Sequence, residues 1–311
     1  MNRLITLFLS VLALGVAQPA SAALKVFACE AEWAALAHAL GGDDVDVYSA
    51  TTALQDVHKI QARPSLIARY RKADLLVCTG AELEIGWLPA LARKGNNPDL
   101  NPGARGYFEA SRYVTMLDVP ASVDRSQGDV HPYGNPHIQT DPRNIARIAG
   151  PLADKLAELD PAHASAYAQR YADFATRWTA AVSRWTEAAA PLKGIQVISA
   201  HKAWTYLYDW LGLDEVASLE PKPGIPPSGA HLQALLEQVR QQPVRMIVYA
   251  AYQDPRPIEW MTQRTDIPAV KLPFSPGGIE GTEDDLFATF DVTIRNLLAG
   301  LAQEPDQGAA P

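Results

Sequence analysis

Four of the seven histidines lie in loops that follow segments predicted to be β-strands, and they come from both halves of the chain: His58, His131, His137 and His201. In open α/β sheets, the loops at the carboxyl ends of the strands form the ligand-binding edge. Imidazole is a preferred ligand of borderline ions such as Zn²⁺, and it binds them in the neutral form that prevails at physiological pH. These positions therefore indicate a metal site in a cleft between two domains.

The spacing of these histidines is far too long for a zinc finger, because the first, third and fourth of them are separated by 79 and 64 residues. Such a site has to be assembled by the fold. The alternative left open is that the four are loop residues without a ligand. The other three histidines lie in or at the start of predicted helices, where packing or surface roles are expected: His38, His163 and His231.

Short β-rich runs alternate with helical patterns, which indicates α/β units around largely parallel sheets. The predicted strands are Leu24–Cys29, Val45–Ser49, Leu75–Cys78, Tyr113–Leu117, Ile195–Ser199, Val216–Leu219, Arg245–Tyr249 and Val270–Leu272. The predicted helices are Glu32–Leu40, Pro64–Lys72, Glu84–Arg93, 141–159, Trp204–Leu211, His231–Gln241, Pro257–Arg264 and Asp284–Ala302. A long irregular stretch, Asp118–Thr140, holds two of the four loop histidines, and a loop of that length is typically functional.

Between the two α/β halves, one apolar stripe predicts a continuous helix of about 30 residues, which ends near Pro191. The stripe consists of Tyr167, Tyr171, Phe174, Trp178, Val182 and Trp185. The predicted organisation is an N-terminal α/β lobe at 23–159, a connector helix at 160–190 and a C-terminal α/β lobe at 191–302. The fold class is thus two α/β lobes joined by one long helix.

The two ends of the chain are not expected to belong to this fold. Residues 1–22 combine a positive start, an apolar run and the small residues Ala20-Ser21-Ala22, which is the pattern of a cleaved signal peptide. Residues 303–311 are predicted to be a disordered tail. Removal of Arg3 with the signal changes the formal charge from −8 to −9, which disfavours nucleic acid and anionic membranes. We expect an exported, soluble monomer in the periplasm.

The two cysteines, Cys29 and Cys78, end two predicted strands. In an oxidising compartment such an even pair can form a disulfide. The alternative is a pair of buried thiols, and the sequence does not choose between the two.

Several segments around the histidines are similar to a known family. They are Asp56-Val57-His58 with Ala62-Arg63-Pro64-Ser65, Gly80-Ala81-Glu82-Leu83-Glu84 with Trp87-Leu88, Gly134-Asn135-Pro136-His137 with Asp141-Pro142-Arg143-Asn144, and Ser199-Ala200-His201 with Trp204. Together they resemble the metal-specific periplasmic solute-binding proteins of bacterial zinc and manganese ABC transporters. The resemblance runs from about Leu24 to Leu301, nearly the whole chain after the signal.

The resemblance implies one metal ion in the cleft between the lobes, with His58, His137 and His201 as ligands. It also implies an ABC transporter permease and ATPase as partners, and no enzymatic activity. Many family members supply a carboxylate ligand from a late loop, but the corresponding stretch here, Leu272–Gly278, carries none. The fourth ligand is left open among Glu280, Ser275, His131 and water.

Three imidazoles without an evident carboxylate favour Zn²⁺ over Mn²⁺, because manganese prefers oxygen ligands. The predicted function is therefore high-affinity capture of zinc and its delivery to the transporter. Two alternatives are a zinc-dependent hydrolase, since three ligands and a water also make a catalytic zinc site, and a periplasmic zinc chaperone. The chain shows no H-E-x-x-H motif and no carboxylate spaced as a general base, which disfavours the hydrolase.

Overall fold

The computed structural model of the protein describes residues 22–122 and 128–303. The predicted signal segment lies outside these residues except for Ala22, and the predicted tail lies outside them except for Gln303. No helix within the described ranges is long and apolar enough to cross a membrane.

The first lobe is built on a four-stranded parallel sheet with the order β2-β1-β3-β4. Its strands are β1 (Leu24–Ala28), β2 (Val45–Ser49), β3 (Leu75–Cys78) and β4 (Tyr107–Glu109). Its helices are α1 (Ala31–Gly41), α2 (Pro64–Lys72), α3 (Leu88–Gly95) and α4 (Pro142–Leu159). β3 is buried at every position, as expected of a parallel strand covered by helices on both faces.

The second lobe repeats this arrangement with a parallel sheet in the order β6-β5-β7-β8. Its strands are β5 (Gln196–Ser199), β6 (Asp214–Ser218), β7 (Val244–Ala250) and β8 (Ala269–Leu272). Its helices are α6 (Thr205–Leu211), α7 (Gly229–Val239), α8 (Arg256–Thr265) and α9 (Leu286–Ala302). In both sheets the first strand along the chain lies between the second and the third, which creates a crevice at the carboxyl end of β1 and of β5.

One long helix, α5 (Ala164–Ala188), connects the lobes, as the apolar stripe predicted. It has 25 residues and is therefore about 38 Å long. It is shorter than expected because 3₁₀ turns at Pro161–His163 and Ala190–Leu192 replace the ends of the predicted helix. The indole of Trp178 donates to the backbone oxygen of Pro142 in the first lobe, and that of Trp185 donates to Asp291 on α9 in the second. The helix is thus anchored to both lobes.

The prediction of a fourth strand at Tyr113–Leu117 was wrong, because the strand that pairs with β3 is β4. Residues Ala110–Tyr113 form a 3₁₀ turn, and the apolar side chains that follow pack against the core from a loop. The backbone groups of Leu117 find partners elsewhere: its N–H donates to the hydroxyl of Tyr206, and its oxygen accepts from Asn135. The apolar character that suggested a strand therefore comes from packing between the lobes.

The helix expected from Glu84 begins at Leu88 instead. Both carboxylate oxygens of Glu84 accept from the backbone N–H of Gly80, at 3.2 Å, and hold residues 80–87 in a turn. Ala81 and Glu82 adopt positive φ angles of 51° and 65° within this turn, a region that side-chain-bearing residues seldom enter.

The largest group of buried apolar side chains is continuous across the two lobes. It joins residues of α1 and α4 in the first lobe to residues of α6 and α9 in the second, with α5 between them. The lobes therefore share one core in addition to their own.

Cys29 and Cys78 form a disulfide between the ends of β1 and β3, so the structure contains the bridge that the sequence left open.

Candidate metal centre

His58 lies in the loop after β2, and two contacts fix the backbone around it. Its N–H donates to the Asp56 carboxylate over 3.0 Å, the local turn expected of an aspartate two residues earlier. The indole of Trp87 donates to the oxygen of Val57 over 3.0 Å. Asp56 thus shapes the loop, and its other oxygen pairs with Lys59 at 3.1 Å.

His137 lies at the start of a 3₁₀ turn, Ile138–Thr140, just before α4. Its N–H donates to the side-chain oxygen of Asn135 over 3.0 Å, and its backbone oxygen accepts from the hydroxyl of Thr140 over 2.9 Å. Only 2% of His137 is exposed. The backbone at this histidine is therefore fixed on both sides.

His201 follows β5 by two residues, at the crevice of the second sheet, and is 6% exposed. Its Nδ1 lies 2.6 Å from the carboxylate of Glu220. The same carboxylate oxygen accepts from the N–H of Gly224 over 2.9 Å. The contact with Glu220 leaves Nε2 as the ring nitrogen that is free to bind an ion.

The structure brings His58, His137 and His201 together, with one ring nitrogen of each lying within 4.8 Å of the others. The Nε2 atoms of His137 and His201 are 3.3 Å apart. Two nitrogens bound tetrahedrally to Zn²⁺ at about 2.05 Å would be separated by about 3.3 Å, so this pair already has the spacing of a zinc site. Nε2 of His58 is buried and has no hydrogen-bond partner.

The protonation of these rings favours metal binding. Burial lowers the pKa of His58 to about 3, helped by the nearby charges that His131 and His201 would carry. Burial also lowers the pKa of His137 well below its ordinary value. An imidazole with a lowered pKa stays neutral at pH 7, and only the neutral ring has a lone pair for a cation.

The side chains considered as a fourth ligand differ in their exposure and in their contacts. Glu280 is exposed, and the hydroxyl of Ser275 donates to Glu32 over 2.8 Å, so it already has a buried partner. The ring of His131 stacks on that of His58, with centroids 5.3 Å apart. Within the described ranges, the group formed by His58, His137 and His201, whose ring nitrogens lie within 4.8 Å of one another, includes no carboxylate.

The centre lies between two cavities that contain acidic side chains. One of about 250 Å³ is lined by Asp56, Glu220 and Asp254, and another of about 290 Å³ by Asp118 and Asp129. His201 lines both cavities. Each cavity also contains one lysine that pairs with an acidic side chain, Lys59 with Asp56 in the first and Lys202 with Asp118 in the second.

Sequence reasoning missed two residues that hold the centre. Glu220 begins a proline-rich run that carries no metal-binding pattern. Asn135 connects the lobes, since its side-chain nitrogen donates to the oxygen of Lys202 and to the hydroxyl of Thr205, at 2.8 and 3.1 Å. The Gly-Asn-Pro-His motif contained Asn135, but its partners lie 67 and 70 residues away and have no signal in sequence.

Two α/β lobes joined by one helix, with buried imidazoles gathered between them, define a metal-binding substrate-binding protein of an ABC transporter. The family model described as ZnuA, the periplasmic zinc-uptake complex component A, matches residues 26–302. The chain belongs to this family. That membership confirms the predicted resemblance and places the chain among substrate-binding proteins, not enzymes, so the hydrolase alternative is wrong.

Similar proteins differ in the metal that their names give. The manganese ABC transporter substrate-binding lipoprotein PsaA of Streptococcus anginosus is 24% identical over 97% of this chain and 99% of its own length. The high-affinity zinc uptake system protein ZnuA of Paracoccus denitrificans is 23% identical over 68% of this chain and 71% of its own. A crystal structure of ZnuA superposes with a TM-score of 0.73 at 19% identity, over 89% of this chain and 98% of that one. This last likeness confirms the fold.

Proposed function

We propose that the protein captures Zn²⁺ in the periplasm and delivers it to the permease and ATPase of an ABC transporter. The observation that carries the proposal is the convergence of His58, His137 and His201 on one point between the lobes. The lowered pKa of His58 and His137 and the burial of His137 and His201 support a role as ligands.

The choice of zinc over manganese rests on the chemistry of the donor atoms. Imidazole nitrogens suit Zn²⁺, whereas Mn²⁺ prefers carboxylate and water oxygens. The nearest carboxylate at the centre, that of Glu220, faces Nδ1 of His201 and supports a ligand from behind. Some relatives are named for manganese and others for zinc, so their names do not indicate one metal. The proposal of zinc is therefore based on the donor atoms.

Delivery to a transporter requires export and a partner. We propose that the mature chain begins at Ala23 after cleavage of the signal, acts as a monomer, and presents the loops of the metal centre to the permease. A periplasmic zinc chaperone would share the metal site, but it would not drive uptake through the permease and ATPase. Transport by the reconstituted complex separates these two functions.

The test of metal binding uses the mature, metal-free chain in competition titrations with Zn²⁺ and Mn²⁺. We expect one tightly bound Zn²⁺ per chain and much weaker Mn²⁺ binding. His201→Ala should weaken zinc binding by orders of magnitude, and His38→Ala, an exposed residue on α1, should not. Tighter binding of Mn²⁺ than of Zn²⁺, or an unaffected His201→Ala variant, would refute the proposal.

A further inference from the structure

We infer that His131 is the fourth ligand, so that the ion is held by four imidazole nitrogens. This inference rests on the proposed function, because it concerns the same ion. It assigns a role to a side chain that is otherwise only a neighbour of the centre.

The position of the His131 ring is the first support. It is nearly parallel to the ring of His58, with 29° between the planes and 5.3 Å between the centroids. A positive charge on His131 would lower the pKa of both His58 and His137, so it lies close to more than one member of the centre. A positive charge on His201 would in turn lower the pKa of His131.

The second support is a buried nitrogen without a partner. Nε2 of His131 is buried and accepts or donates no hydrogen bond within the described part of the chain, and the same is true of Nε2 of His58. A buried polar atom without a partner destabilises the folded state, and native proteins contain few of them. Two such atoms on stacked rings are explained together if both face a shared ion.

The competing ligands are engaged or distant. Glu280 is exposed, and Ser275 donates to Glu32. Asp56 is held by the N–H of His58 and by Lys59, and Asp129 is exposed. Water remains as an alternative to His131, and the experiment below distinguishes the two.

His131 stands outside the group of three whose nitrogens lie within 4.8 Å, so its ring has to move toward the other three rings to complete the site. The backbone next to His131 already contacts the second lobe. The N–H of Asp129 donates to the oxygen of Pro223 over 2.9 Å, in the segment that begins with Glu220.

An all-nitrogen sphere has a consequence for selectivity. Four imidazoles favour Zn²⁺ and other borderline ions and offer Mn²⁺ none of the oxygen ligands that it prefers. His131 is then a residue that determines specificity, and a carboxylate in its place should shift the preference toward Mn²⁺.

The experiment compares the mature wild type with His131→Ala, His131→Asp and the surface control His38→Ala. Each is titrated with Zn²⁺ and Mn²⁺ in competition assays, and the visible absorption of the Co²⁺-loaded proteins is recorded. We expect His131→Ala to lower zinc affinity by at least about tenfold and to change the cobalt bands, since water replaces a nitrogen. His131→Asp should raise the affinity for Mn²⁺ relative to Zn²⁺, and His38→Ala should match the wild type.

Wild-type affinity and an unchanged cobalt spectrum in His131→Ala would overturn the inference and leave water as the fourth ligand. No gain in relative Mn²⁺ affinity in His131→Asp would also count against it. Failure of the wild type to bind Zn²⁺, or an unaffected His201→Ala, would instead remove the proposed function itself. The two failures are therefore distinguishable.

Discussion

The side-chain amide of Asn135 donates a hydrogen bond to the backbone oxygen of Lys202 over 2.8 Å, and this bond joins the loops that carry His137 and His201. The other end of the same side chain accepts from the N–H of His137. One residue thus sets the separation of two ligands that come from different lobes.

Replacing Asn135 with Ala should weaken zinc binding by roughly 10–100-fold, the usual effect of removing a residue that orients metal ligands. The variant leaves the N–H of His137 and the oxygen of Lys202 without their partner, so the two loops lose their fixed spacing. Competition titration measures the change. Asn296→Ala is the matched control, because its amide donates to Lys271 far from the centre. Equal affinities of the two variants would contradict the prediction.

Replacing Glu220 with Gln should lower zinc affinity by a similar factor, about 10–100-fold. The carboxylate of Glu220 lies 2.6 Å from Nδ1 of His201, where it fixes the ring and makes Nε2 a better donor to the metal. Glu237→Gln provides the control, since Glu237 is exposed and its carboxylate contacts Gln233 and Arg240 on the surface. Calorimetry of both variants gives the comparison, and a Glu220→Gln protein that binds like the control would exclude this role.

Zinc affinity should fall less between pH 7.5 and pH 5.5 than it would for a site of three imidazoles with ordinary pKa values. A proton competes with the ion only when the pH approaches the pKa of the ligand, and the pKa of His58 is lowered to about 3. The lowered pKa of His137 acts in the same direction. Competition titrations at pH 7.5, 6.5 and 5.5, corrected for the indicator, check this. A loss as steep as that of three ordinary imidazoles would contradict the lowered pKa of His58 and His137.

Replacing Glu32 with Gln should make the protein relatively more stable at high pH. Burial raises the pKa of Glu32 to about 7, above its ordinary value of 4.5, so the folded state holds this proton more tightly. The associated stability is present below pH 4.5 and is lost as the pH rises through 7, up to about 3 kcal/mol. Gln keeps an acceptor for Ser275 and cannot ionise.

Urea unfolding of the metal-free wild type and Glu32→Gln at pH 5.5 and pH 8 measures this effect. The difference in unfolding free energy between the two proteins should change in favour of the variant at pH 8. Glu237→Gln should show no such change, because Glu237 is exposed. A pH-independent difference for Glu32→Gln would show that the carboxyl is not held neutral.

Removing the disulfide should destabilise the first lobe without abolishing metal binding. Cys29 and Cys78 are 49 residues apart in sequence, and closing such a loop in the unfolded chain stabilises the fold by about 4 kcal/mol in the chain-entropy model. The double variant Cys29→Ala, Cys78→Ala should unfold at lower denaturant, yet keep zinc affinity within a few fold because neither sulfur belongs to the histidine group. Unchanged stability would count against the bridge in solution.

The parts of this structure that could be predicted are those with a local or periodic signal. α2 and β3 have the bounds that their patterns indicated, and the aromatic stripe identified α5. The segment Tyr113–Leu117 was wrongly predicted to be a strand because its apolar residues pack between the lobes. Sequence alone does not distinguish such packing from a strand.

The three histidines were placed in the right loops because each follows a strand and carries a family motif. Their supports were not predicted: Glu220 is 19 residues from His201, and the hydrogen bond between Glu32 and Ser275 spans 243 residues. The first contact depends on packing within the second lobe and the second on packing between the lobes, and no local pattern encodes either. The sequence therefore identified the three histidines that the structure brings together, but not the residues that orient them.

The shared core around α5 has a kinetic consequence. Trp178 and Trp185 anchor this helix to both lobes, and buried apolar side chains continue from one lobe to the other. Wide opening would break that core, so thermal motion should seldom provide the ion with an exit by that route. Release then depends on the short segments around His58, His137 and His201, and we expect the residence time of the ion to follow how often those segments detach. A permease that binds only these loops would shorten the residence time of the ion while α5 keeps its position.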